Sequence, residues 1–272
     1  MSTKIISTNI LATIVTHKLK EVAARKNEIS IAQLEAMPLF SKKAISLKAN
    51  LLKQDSTGII AEFKRKSPSK GIINDKASVK EVTAAYHAFG AAGISVLTDA
   101  EFFGGSLDDL SIAIQNEIPV LRKEFIIDEF QIIEAKAYGA SVILLIASCL
   151  SPASTKLLAM KAKALGLEVL LELHDETELE HICDEVDFVG INNRSLKSFE
   201  VNINHSLELK NKLPKGKLSI AESGIYSVET YRLLKKEGFD GFLMGEYFMK
   251  EENPALAFEL FTKAIKINKN AI

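Results

Sequence analysis

The sequence predicts an α/β protein in which one closed (β/α)8 barrel follows an N-terminal helical extension. Three observations carry this reading. From Ile59 onward, eight short β-favouring runs alternate with segments of helical period. Most of those runs are almost continuously apolar, as parallel strands covered by helices require. The units recur about every 25 residues with no linker between them, which favours closure into one TIM barrel. The competing architecture is a doubly wound open sheet, but no Gly-x-Gly-x-x-Gly turn follows the first strand. The whole chain, 1–272, then reads as a single domain: 1–57 as an extension covering the barrel mouth, 58–272 as the barrel.

The extension opens with an amphipathic helix over residues 8–27. Ile10, Leu11, Ile14, Val15, Leu19 and Val22 fall near 3/4 spacing, with Lys18, Lys20, Glu21 and Arg25 between them. Met37-Pro38 breaks the pattern, and 46–53 forms a second short helix before Thr57-Gly58. The strands are expected at 59–63, 94–98, 118–121, 141–146, 168–173, 187–191, 218–221 and 240–244. Eight helical segments separate and follow them. Ser78-Val-Lys-Glu81 is a capping-box pattern, and Ser106-Leu-Asp-Asp109 opens the next helix. Ser151-Pro152 and Asn253-Pro254 each set a capping residue before a proline at the first helical position. Glycines at 90, 93, 139, 166 and 238 fall where helices stop and the chain turns toward the next strand.

Composition narrows the function classes. Hydrophobic residues make up 47% and charged residues 25%, ordinary values for a soluble globular domain. The formal net charge of −1 gives no field to gather nucleic acid or an anionic membrane. Cys149 and Cys183 make neither a disulfide framework nor a metal-ligand spacing. Histidines 17, 87, 174, 181 and 205 show no ligand spacing either, so no metal is expected. The longest apolar run, 142–147, is too short to span a bilayer, and the N-terminus lacks the apolar region of a signal peptide. A cytoplasmic location is the expectation.

In a barrel, residues just past each strand's carboxyl end converge on one mouth. The stretch 59–71, IIAEFKRKSPSKG, delivers Glu62 and Lys64 on the same face of a strand, followed by Ser67 in a basic loop. Lys123, Glu124 and Phe125 end the third strand, and Glu172 and His174 the fifth. Asn192 and Arg194 end the sixth, Glu222-Ser223-Gly224 the seventh, and Gly245-Glu246 the eighth. Ordinary packing would put Val, Ile and Leu inside a barrel. Two lysines, three glutamates, an Asn and an Arg at the common mouth instead mark an active site. Three other readings of these residues are weighed: a Schiff-base aldolase, a non-catalytic barrel kept for partner binding, and nucleic-acid binding through 64–70. The last is disfavoured by near-neutral charge and the absence of interleaved aromatics.

The segments AEFKRKSPS, VLTDAEFFGGS, VLRKEFI, LLELHD, VGINNRSL, AESGI and FLMG occur in this order along the chain. In content and order they resemble the indole-3-glycerol-phosphate synthase family of tryptophan biosynthesis, over essentially the whole length. The resemblance implies ring closure, decarboxylation and dehydration of 1-(2-carboxyphenylamino)-1-deoxyribulose 5-phosphate. It implies catalytic roles for Lys123, Lys64, Glu172 and Glu62, with Lys123 matching the family's principal lysine. Ser67, Asn192, Arg194 and Glu222 match substrate-contacting residues. Phe103, Phe125 and Leu144 lie where an apolar slot for the anthranilate ring is needed, with ordinary packing as the other role open to each. Ser223, Gly224, Gly245 and Glu246 fit the phosphate-binding strand ends. His174 is expected to serve structurally, behind the site. No cofactor is implied. The partner is a small phosphorylated substrate, and both a monomer and association with other tryptophan-pathway enzymes stay open. The chain departs from the family in two places: Tyr247-Phe248-Met249 replaces a small residue and Leu-Met, and no tryptophan is present to cover the substrate.

Overall fold

The computed structural model describes residues 7–195 and 200–267. Eight strands form the barrel wall: β1 (Ile59–Phe63), β2 (Gly93–Leu97), β3 (Val120–Lys123) and β4 (Val142–Ile146). They continue as β5 (Glu168–Leu173), β6 (Phe188–Asn192), β7 (Leu218–Glu222) and β8 (Gly241–Met244). All pair in parallel with their sequence neighbours, and β8 closes on β1. Boundaries move from the sequence expectation by a residue or two. β3 begins at Val120 rather than Ile118 because Pro119 has no N–H for the ladder, and only its carbonyl is used, by the Ile94 amide.

Alternation decides what each strand sends inward. In β1, Ile59, Ala61 and Phe63 face the helices, while Ile60 packs inside with Leu121, Leu144, Leu170 and Ile220. The same parity carries Glu62 and then Lys64 to the inner mouth. Around the wall run α4 (Val79–Ala88), α5 (Ala100–Phe103), α6 (Leu107–Ala113), α7 (Glu129–Ala137) and α8 (Pro152–Ala164). α9 (Ile203–Lys210), α10 (Val228–Lys236), α11 (Glu246–Met249) and α12 (Pro254–Ile267) complete it. The expected caps form: Ser78, Ser106 and Ser151 accept from the amides of Glu81, Asp109 and Ser154, and Asn253 accepts from Leu256.

Two segments depart from expectation. The connection after β5 is a 3-10 helix, Glu176–His181, where an eighth α-helical unit is predicted. It is the shortest of the strand-to-strand connections, and Asp175 caps the tight turn through the Thr177 amide. The basic loop after β1 folds back as a small antiparallel hairpin pairing Lys66–Ser67 with Gly71–Ile72.

The extension comprises α1 (Ser7–Glu28), α2 (Ile31–Glu35) and α3 (Leu47–Leu51). In α1, Lys18 is 0% exposed while Leu19 is 58% exposed, the reverse of their places in the predicted pattern. Lys18 lies one helical turn from both buried Ile14 and buried Val22, so it occupies the inward stripe. Its charge is met there by carboxylates rather than water. α3 closes the barrel end opposite the mouth. The Glu168 carboxylate, at the start of β5, accepts from Ser46 Oγ at 2.5 Å and from the Leu47 and Lys48 amides at 2.8 and 3.2 Å. That anchor seats Leu47 and Leu51 against Phe188 and Ile220 in the barrel interior. Burying a leucine of this kind stabilises by about 1.5–3 kcal/mol.

Candidate active site

The carboxyl ends of the strands enclose a cavity of about 190 Å³. Every site residue expected from the sequence borders it, and each arrives by a definable route. Lys64 Nζ lies 2.7 Å from Glu62 Oε1, the side-by-side acid and ammonium that a two-residue spacing on β1 dictates. Lys123, last residue of β3, points inward between two carboxyls, 2.5 Å from Glu172 Oε2 of β5 and 3.0 Å from Glu222 Oε2 of β7. Its neighbour Arg122, of opposite parity, turns outward and pairs with Glu134 of α7 at 2.9 Å.

Burial disfavours the charged form of the Lys123 ammonium, but Glu172, Glu222 and Glu62 outweigh it and hold the group protonated well above the ordinary lysine range. The two carboxyls on either side diverge. Burial disfavours an ionised Glu172, yet Lys123 and His174 hold it well below the usual carboxylate range. For Glu222, burial is the leading effect and Glu172 adds repulsion; Lys123 only partly offsets them, and the group is pushed up to about 8. Gly190 makes room for this arrangement. A Cβ placed there would sit 2.0 Å from Glu222 Oε1, so only glycine lets β6 pass beneath that carboxyl.

The remaining residues divide the cavity into an apolar and a polar side. Phe103, on α5, and Phe125, after β3, lie 5.9 Å apart with their rings tilted by 37°, and buried Leu144 continues that wall. Ile10, Leu11 and Ile14 of α1 border the same space. Ser67 enters from the hairpin after β1. Across from it, Asn192 Nδ2 donates to Glu172 Oε1 at 2.9 Å while its Oδ1 accepts from the Arg194 amide at 3.0 Å. Arg194 Nη2 in turn donates to Tyr226 OH at 2.8 Å and Glu246 Oε2 at 3.1 Å. Ser223 and Gly224 both take left-handed backbone angles, φ 64° and 71°, which turn the chain sharply at the end of β7. Gly245 occupies the cap position of α11 and offers no side chain to its first-turn amides.

Sequence reasoning left out three features. The Lys18 ammonium is buried against Asp99 and Glu124, at 2.8 and 2.9 Å, and ties α1 to the ends of β2 and β3. The signal was present, since Lys18 falls on the Ile14/Val22 stripe, but a lysine there reads as surface. Gly190 lies inside VGINNRSL, and a glycine within a strand marks a close approach, but nothing in the sequence names Glu222 as the neighbour; Tyr226 carried no signal. Among the described residues, no group of three or more His, Cys, Asp or Glu side chains is placed to hold a metal.

Comparison with known proteins bears on the chain as a whole. Among solved structures, the tryptophan synthase α-subunit of Pyrococcus furiosus superposes with a TM-score of 0.59 at 15% identity, covering 77% of this chain and 97% of that one. Orotidine 5'-phosphate decarboxylase from Pyrococcus horikoshii does so at 0.57 and 12%, covering 76% and 99%. At such low identity these matches speak for the barrel alone. Sequence relatives are nearer. An indole-3-glycerol phosphate synthase of Bacteroides thetaiotaomicron is 44% identical over 259 residues, 95% of this chain and 99% of that protein. One from Acinetobacter baumannii (strain ATCC 17978) is 40% identical over 258 residues, 93% and 95% of the two chains. A family model described as indole-3-glycerol phosphate synthase matches residues 11–261, from α1 through most of α12. The chain belongs to the indole-3-glycerol phosphate synthase family.

Proposed function

We propose that this protein converts 1-(2-carboxyphenylamino)-1-deoxyribulose 5-phosphate to indole-3-glycerol phosphate, releasing carbon dioxide and water, as a carboxy-lyase of tryptophan biosynthesis. The observation that carries the reading is Lys123, a protonated ammonium held between Glu172 and Glu222 in the same cavity as the Lys64–Glu62 pair. Ring closure requires an acid at the ketone oxygen as the aromatic carbon attacks, and Lys123 is that acid. After carbon dioxide leaves, a hydroxyl must depart with one proton while another is removed from the ring system. Lys64 supplies the departing proton, and Glu62 and Glu172 share the base work. An ammonium so firmly protonated is poorly suited to attack a carbonyl as an amine, which disfavours the Schiff-base alternative.

The substrate's parts fit the cavity's division. The anthranilate ring lies against Phe103, Phe125 and Leu144, with its carboxylate toward Ser67. Asn192 and Arg194 meet the sugar hydroxyls. The phosphate lies at the amides of Ser223, Gly224, Gly245 and Glu246, where the turn after β7 meets the uncapped start of α11. The chemistry involves no net redox change and uses no cofactor. The reading implies a cytoplasmic enzyme; among the described residues no helix is long and apolar enough to cross a membrane.

The test is direct turnover: the purified protein mixed with the carboxyphenylamino-deoxyribulose phosphate, monitored by indole fluorescence. Product should form with the wild type and fall by about 10²–10⁴-fold in Lys123→Ala, the loss expected for one positioned acid. Absence of product with correctly folded wild-type protein overturns the assignment.

A further inference from the structure

Lys123 lies between two carboxyls that are chemically alike and differ only in what surrounds them. Glu172 is rich in donors. Besides Lys123 it receives Asn192 Nδ2 on Oε1 at 2.9 Å, and His174 Nε2 stands 3.2 Å from the same oxygen as a charge contact, without hydrogen-bond alignment. Glu222 has Lys123 on one oxygen, while its Oε1 is buried with no hydrogen-bond partner among the described residues. A buried carboxylate oxygen without a donor is costly, and a carboxyl keeping its proton avoids much of that cost. Lys123 lies nearer Glu172 than Glu222, at 2.5 against 3.0 Å, and His174 is the second positive group on that side, whereas Asn192 brings no net charge.

His174 is itself held between acids. Its Nδ1 is 3.8 Å from Glu178 Oε2, and its backbone amide donates to the same oxygen at 2.6 Å. Ser148 Oγ approaches Nδ1 at 3.4 Å and also bonds Glu178. His205, from α9, holds the His174 carbonyl at 3.0 Å through Nε2. Cys149, in the 3-10 turn after β4, is also near Glu172 and Glu178; burial first, then those carboxylates, push its thiol up to about 12, so it stays neutral. Burial works against a charged imidazole, but Glu172, Glu178 and Glu222 together raise His174 above its ordinary range. The ring does not border the cavity, so its reach into the reaction runs through Glu172.

We propose that His174 is a positioning residue that distinguishes the two carboxyls around Lys123: as a cation behind Glu172 it keeps that group a carboxylate and leaves the carboxylic acid proton to Glu222. In the reaction proposed above, on which this inference rests, Glu172 is thereby the standing base and Glu222 a standing acid. The distinction matters because the overall conversion takes up one proton, a carboxylate leaving as neutral carbon dioxide. Glu222 can pass its proton to Lys123 after Lys123 has protonated the ketone, and bulk solvent then reloads Glu222.

The experiment reads both carboxyls in the unliganded protein, without requiring turnover. Glutamate is labelled with 13C at the side-chain carboxyl, and NMR signals are assigned by their loss in Glu172→Gln and Glu222→Gln. In the wild type, the Glu222 signal should titrate near pH 8 while the Glu172 signal stays at its carboxylate position from pH 5 upward. In His174→Gln, the Glu172 signal should begin to titrate within that range and the Glu222 signal should shift its midpoint downward. kcat should fall about tenfold to a hundredfold with KM within about twofold, since the acid–base groups are mis-set but the binding surface is untouched. Should His174→Gln fail to fold, Glu178→Gln weakens the same cation from the outside and should move the Glu172 signal the same way by less. Unchanged titrations in the folded His174→Gln or Glu178→Gln protein overturn the proposal, as does a wild type in which Glu172 carries the proton. Failure of wild-type turnover with the predicted titrations intact would overturn the functional reading and leave the charge assignment standing.

Discussion

Lys18 Nζ lies 2.8 Å from Asp99 Oδ2, with the two side chains 0% and 1% exposed, so the extension is joined to the barrel by a buried charge contact. Glu124, at 2.9 Å and equally buried, and the more exposed Glu21, also at 2.9 Å, join the cluster. Asp99 also caps α5, which carries Phe103, and Glu124 receives the Phe125 amide at 2.9 Å. One ammonium therefore steadies the helix over the mouth and both aromatic residues of the apolar wall. Removing one member of a buried pair costs about 3–5 kcal/mol because the partner's charge is left without compensation. Lys18→Met, which keeps the volume, should lower stability by that order in urea unfolding and raise KM. A variant of unchanged stability would mean that water enters and solvates Asp99 and Glu124.

Deletion of residues 1–45 is a harsher version of the same cut. Besides Lys18 it removes Val22 and Leu34, which pack on Phe130, Ile133 and Ala137 of α7, but it spares the α3 plug at the barrel's far end. The truncated protein should still fold cooperatively, with a clearly lower midpoint than full length, and should lose most of its kcat/KM. Thermal unfolding followed by far-ultraviolet circular dichroism, together with turnover, reads both. A midpoint equal to that of the full chain would refute the structural role given to α1 and α2.

The pH dependence of stability should carry the signature of Glu222. Its folded-state value of about 8 lies above that of an unfolded glutamate, so the folded protein holds a proton that the unfolded chain has lost. By linkage, the Glu222 contribution should decline as pH rises from about 4.5 to about 8, and the raised His174 adds a decline of the same sign above its own ordinary range. Glu172, depressed instead, affects stability only below that window, where falling pH removes its contribution. Glu222→Gln should make the decline shallower, leaving the part due to His174, measured as unfolding free energy at pH 5, 7 and 9. A slope identical to that of the wild type would place the proton elsewhere.

Gly190→Ala tests the packing under the same carboxyl. A methyl 2.0 Å from Glu222 Oε1 must push Glu222 off Lys123 or shift β6. The expected result is a loss of about 1–3 kcal/mol, typical of overpacking, with a fall in kcat larger than any rise in KM. Retained activity would show that Glu222 need not touch Lys123.

Gly224→Ala probes the phosphate end. The position has φ 71°, and a Cβ would come within 2.3 Å of Val201 Cγ1. Alanine in that conformation costs roughly 1–2 kcal/mol and displaces the turn whose amides are assigned to the phosphate. KM should rise more than kcat falls, because phosphate binding is largely common to ground and transition states. An unchanged KM would move the phosphate away from this turn.

The sequence by itself determined the barrel and the membership of its mouth. Eight apolar runs with capped helices between them leave few other ways to bury both faces of every strand. Period-two alternation then sends Glu62, Lys64, Lys123, Glu172, Asn192 and Glu222 to one end, without any need for coordinates. The 3-10 turn after β5 escaped that logic because a short connection selects its helix type by closure rather than by pattern.

Only the tertiary structure decided how the charges pair. Lys18 looked like a solvated lysine on an amphipathic helix, and it becomes a buried cation only because Asp99 and Glu124, far away in sequence, arrive at the same point. Glu172 and Glu222 are indistinguishable as letters. Burial and Glu172's repulsion push Glu222 up, while Lys123 and His174 hold Glu172 down. Electrostatic identity is a property of distance and desolvation, and a linear sequence carries neither until the chain has folded.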